Sequence, residues 1–85
     1  MAMSREFRWA VSTILQLNNL PASPSNMNAF NNPNQNKQWI NALIRGASPQ
    51  IGSMTSGVYD KMINILQANG IETNIYTQGN GTGPV

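Results

Sequence analysis

Three stretches of the chain repeat apolar residues at the spacing of one helical face. Over 5–18, Phe7, Ala10, Val11, Ile14, Leu15 and Leu17 share a broad apolar face, with Ser4 placed to cap its start and Asn18-Asn19, then Pro21, placed to stop it. Over 33–45, Trp39, Ile40, Leu43 and Ile44 form a single stripe while Lys37, Gln38, Asn41 and Arg45 face away. This second helix has the form of a capped start, Asn32-Pro33-Asn34-Gln35, and a glycine, Gly46, suited to a left-handed cap at its end. Over 53–69, Val58, Tyr59, Met62, Ile63 and Leu66 make the buried stripe, Asp60, Lys61, Asn64 and Gln67 the wet face, and Asn69-Gly70-Ile71 reads as a Schellman ending with its apolar follower. Ser48-Pro49 repeats the cap-plus-proline signal, but Gly52 and Gly57 push the regular start of the third helix toward Ser53 or Ser56. On this pattern the chain is organised around 32–70, and the first helix packs onto that pair.

The intervening segments read differently. Residues 19–32 are rich in Pro, Ser and Asn and predict a loop, with Met27 and Phe30 set in it; Phe30 either plugs the open end of the bundle or docks a partner. After Gly70 the period changes to two: Ile71, Thr73, Ile75 and Thr77 alternate with Glu72, Asn74, Tyr76 and Gln78. No second strand is evident, and a lone strand is not stable in water, so this arm either is not a strand or pairs with the edge of another molecule. Gly79-Asn80-Gly81-Thr82-Gly83 has the composition of a flexible linker. The expected architecture is therefore all-α: a small three-helix bundle over 1–70, followed over 71–85 by an extended arm able to form a strand.

Composition narrows the functions. The chain has 85 residues and no cysteine or histidine. A core of this size supplies only about 3–5 kcal/mol, and neither a disulfide nor a zinc site of the usual ligands can add to it. That leaves idealised packing or association as the source of stability, and the glycines inside the elements favour association. Charged residues are 9% of the chain against roughly 25% in an average domain, so the polar surface is built of amides and hydroxyls. The net charge of +2 comes from five cations against three acids, too few to neutralise many phosphates. Catalysis would have to run on Ser, Thr or Lys with Glu6, Asp60, Glu72, Lys37 or Lys61 as base, and none of these stands in a catalytic pattern. No enzyme activity, cofactor or metal is expected.

Two motifs in the chain have simpler readings. Arg5 and Arg8 before an apolar run, with Pro21-Ala22-Ser23 behind it, resemble a secretory signal, but Ser12, Thr13 and Gln16 interrupt the run. The run is also too short to span a membrane. Ala42, Gly46, Ala47 and Ser48 have helix-turn-helix spacing, yet the place six residues after Gly46 is Gly52 rather than an apolar residue, and the first cation of the second helix is Lys61. A plain helix-loop-helix fits better.

The resulting expectation is a structural protein acting through protein-protein contacts, a small virion or bacteriophage subunit partnered by copies of itself or by a particle shell. It would be cytoplasmic at synthesis or held within the particle, with no membrane partner. The interface candidates are Trp9, Met27, Phe30, Ile71, Thr73, Ile75 and Tyr76. The alternatives are a nucleic-acid-binding regulator using Arg45, Gln50, Ser53, Thr55 and Lys61, and a host-directed inhibitor using the Met27 to Phe30 loop and Trp9.

Overall fold

The computed structural model describes residues 3–47 and 56–73. Its elements are α1 (Arg5–Leu17), α2 (Pro24–Asn28), a 3₁₀ turn (Ala29–Asn31), α3 (Lys37–Ala47) and α4 (Ser56–Ala68). The fold is mostly helical, with no strand among the described residues.

Helix α1 begins where Ser4, in extended backbone, accepts the Phe7 amide at 3.1 Å. It ends because Asn19 takes up the left-handed conformation, with φ of 60°. The Asn19 amide then donates to Gln16 and the Leu20 amide to Leu15, both at 3.0 Å, which is the bond pair of a Schellman motif built on asparagine. Ala10, Val11, Ile14 and Leu15 are fully buried, and α1 makes the most extensive contacts of any long helix, with α4 and with α3. The organising element is thus α1, lying between the two helices expected to organise it.

Residues 19–32 are not a plain loop. Ser23 caps α2 by accepting the Asn26 amide at 3.2 Å, with Pro24 in the first turn, and the 3₁₀ turn carries Phe30 into the core at 1% exposure. The cap-plus-proline signal that marks this start occurs again at Asn32-Pro33, where no helix follows directly. Helix α3 begins four residues later, after a turn in which the Asn36 side chain donates to the carbonyls of Ala29 and Asn32.

Helix α3 buries Ile40, Leu43, Ile44 and Ala47. Gly46 does not cap it: the helix runs through that position to Ala47, and the only left-handed glycine among the described residues is Gly70. Gly46 is small for another reason. Asn18, at the end of α1, donates through Nδ2 to the carbonyls of Ile14 at 2.8 Å and Leu43 at 2.9 Å, and a Cβ on Gly46 would run into the Asn18 Oδ1. The glycine admits an asparagine that ties α1 to α3.

Helix α4 buries Tyr59, Met62, Ile63 and Leu66, but Val58, expected in the stripe, is 39% exposed. Of the two expected starts, Ser53 lies outside the described residues and Ser56 is the first residue of the described helix. Its ending matches the sequence expectation: Gly70 has φ of 86°, its amide donates to Gln67 and that of Ile71 to Leu66, each at 3.0 Å. Ile71 enters the core. Thr73 is buried as well, its Oγ1 accepting from Gln67 Nε2 at 2.6 Å, while Glu72 between them turns outward to Lys37 at 3.4 Å.

Candidate functional site

What remains on the surface after this packing defines the candidate site. Among the described residues, Trp9 and Val58 are the two large apolar residues left exposed, at 36% and 39%. Trp9 lies at the seam of α1 and α4, under Lys61. Its Nζ lies 5.3 Å from the centre of the Trp9 ring, and Val58 stands one helical turn before it on α4. Beside them a shallow apolar depression is lined by Gly57, Asp60, Lys61, Asn64, Ile65 and Ala68 of α4 and by Glu6 of α1. Comparison with protein-family models, with curated proteins and with solved structures returns no match. The functional reading therefore rests on this chemistry alone.

The seam offers apolar surface edged by charges of both signs. An exposed cation over an indole contributes about 0.5–1 kcal/mol, enough to hold the ring in place without hiding it. Covering the exposed part of Trp9 with another molecule would add about 2 kcal/mol at ~25 cal/mol per Å². The backbone carries the ring on a full helix: Ser12 and Thr13 hydroxyls both donate to the Trp9 carbonyl, at 3.0 and 2.7 Å, so they turn inward to the backbone.

Of the other interface candidates, most are used inside the molecule. Phe30 is buried and meets Trp39 edge to face, with centroids 6.0 Å apart, so it plugs the bundle and its surface role is closed. Met27 is half-buried against the core. Ile71 and Thr73 pack on their own helices, so these two residues do not offer themselves to a neighbour's sheet. Ile75 and Tyr76 lie outside the described residues. Of the nucleic-acid candidates, Arg45 is exposed on α3 and Lys61 lies over Trp9, while Gln50, Ser53 and Thr55 are outside the described residues. The inhibitor alternative keeps Trp9 but loses Phe30.

The seam was partly missed in sequence. The sequence pattern places Val58 in the buried stripe, yet at 100° per residue it stands roughly 90° from the centre of that stripe. That angle was the available signal. Among the described residues no three potential metal ligands come together, and no helix is long and apolar enough to cross a membrane.

Proposed function

We propose that this chain is a non-enzymatic assembly protein, a structural subunit of a virus or bacteriophage particle that acts by contact with copies of itself or with a shell. One observation carries the reading: Trp9, the side chain with most to gain from burial, stays exposed at the seam of α1 and α4 while Phe7, Phe30 and Tyr59 are buried. The low charge supports it, because copies with a net charge of +2 repel one another little.

The test is the mass in solution as a function of concentration, by light scattering, for the full chain and for a chain ending at Thr73. The truncation point follows from the burial of Ile71 and Thr73, which belong to the helical body. Self-association of the full chain is expected. Loss of association in the truncated chain would assign assembly to 74–85, and its retention would assign it to the helical surface. A monomer at every concentration overturns the reading in favour of a foreign partner. Membership of a particle has its own check, the presence of the chain in purified particles by mass spectrometry.

A further inference from the structure

We propose that Asn69-Gly70 is a latent modification site. The ending of α4 holds it closed; when that ending opens, the two residues cyclise and shed ammonia, and Ile71 and Thr73 lose their hold on the helical body for good. The reaction needs water and no partner.

The chemistry starts from the residue pair. The backbone nitrogen of the residue after an asparagine, once it has lost its proton, attacks the side-chain Cγ. The N–Cγ bond forms, the Cγ–Nδ2 bond breaks, and ammonia leaves with the proton that the nitrogen gave up. Water then opens the cyclic imide at one carbonyl or the other, giving aspartate or its β-linked isomer. Glycine is the most permissive following residue, because it has no Cβ to obstruct the approach and the widest choice of backbone angles. Asn69 and Gly70 are both exposed to water.

The folded helix end withholds both reacting groups. The Gly70 N–H donates to the Gln67 carbonyl at 3.0 Å, so the nucleophilic nitrogen keeps its proton and is turned toward the last turn of α4. The Asn69 Nδ2 donates to the Ile65 carbonyl at 2.8 Å, which draws the side chain back over the helix and away from Gly70. Cyclisation requires both bonds to break. Three further contacts lock the same ending: the Ile71 amide on the Leu66 carbonyl at 3.0 Å, the Ile71 side chain in the core, and Gln67 Nε2 on Thr73 Oγ1 at 2.6 Å. Gly70 has φ of 86°, so the glycine that this left-handed ending favours is also the residue that makes the pair reactive once it opens.

The products do not close again. Aspartate at position 69 has no N–H to give the Ile65 carbonyl, and its negative charge stands at a helix C-terminus, where the helix dipole opposes it. The β-linked isomer lengthens the backbone by a carbon between residues 69 and 70, so Gly70 and Ile71 cannot both return to Gln67 and Leu66. A transient opening of the helix end is thereby converted into a permanent one.

Peptide mapping by mass spectrometry tests this on the full chain kept in mildly alkaline buffer, by following the conversion of Asn69 in the folded protein and in guanidinium chloride. The folded wild type is expected to convert about tenfold or more slowly than the denatured chain. Ile71→Val trims the buried side chain without touching the reacting pair, and should speed conversion in the folded state about threefold while leaving the denatured rate unchanged. Equal rates in the folded and denatured wild type overturn the closed site, and a folded rate unmoved by Ile71→Val overturns its control by the helix end. The consequence is read by amide hydrogen exchange in Asn69→Asp, which reproduces one product. Exchange at Gly70 and Ile71 should rise severalfold with α1 unchanged. Exchange like that of the wild type overturns the release, and a rise throughout α1 overturns its local character.

Discussion

At the scale of single residues, Gly46 and Asn18 show how one side chain decides the identity of another. In an exposed helix interior, glycine to alanine normally stabilises by about 1 kcal/mol. Here the added Cβ displaces Asn18 and breaks the bond that Nδ2 donates to Leu43, leaving a part-buried amide short of a partner. Gly46→Ala is therefore expected to destabilise by about 1–2 kcal/mol in urea unfolding. In an Asn18→Ala background the clash is gone, and the same change should stabilise by about 0.5–1 kcal/mol. A substitution with the same sign in both backgrounds would show that Asn18 does not set the requirement. Local sequence rules assign Gly46 to a helix end because glycine is the commonest cap; nothing within its neighbours in the chain reveals an asparagine 28 positions earlier.

At the scale of elements, helix ends are where the chain is most explicit. Gly70 and Asn19 both adopt the left-handed conformation and close their helices with the same two bonds. Any residue with a Cβ is strained there, asparagine less than most. Asn19→Gly should accordingly raise stability by several tenths of a kcal/mol, and Gly70→Ala should lower it by about 1–2 kcal/mol, both measurable by thermal melting. The Gly70 ending and the buried faces of α1, α3 and α4 were readable from sequence, because caps and a 3.6-residue period depend only on near neighbours. Helix α2 was not, although Ser23-Pro24 carries the right signal: five residues with no buried side chain leave no apolar stripe to notice. The start of α3 was misplaced for the converse reason. Asn32-Pro33 has the form of a cap, but Asn36 holds the preceding turn through Ala29 and Asn32.

For the whole molecule, the boundary of the helical body falls at least as far as Thr73. Ile71 is 2% exposed and belongs to the core cluster, so Ile71→Ala should cost about 2–4 kcal/mol, a large share of what a domain this small possesses. A chain ending at Gly70 should unfold at markedly lower urea than one ending at Thr73, and equal midpoints would count against the role of this segment. The ion pair of Lys37 with Glu72 adds little, because both side chains are about half exposed and solvent screens them. The alternation that suggests a strand after Gly70 is real in sequence, but its first two inward residues face the chain's own helices. Period two identifies which residues share a side; it does not say whose surface that side meets.

The central position of α1 has a consequence for how the protein comes into being. Its apolar face needs α4, whose last buried residue, Leu66, is made some fifty residues after Leu15. At a synthesis rate of ~5–20 residues per second that interval lasts several seconds, far longer than a helix needs to form. For that time the nascent chain presents Val11, Ile14 and Leu15 without their final neighbours, so folding waits on nearly the whole described chain, and a ribosome that stalls before α4 releases a product whose most apolar surface is still open.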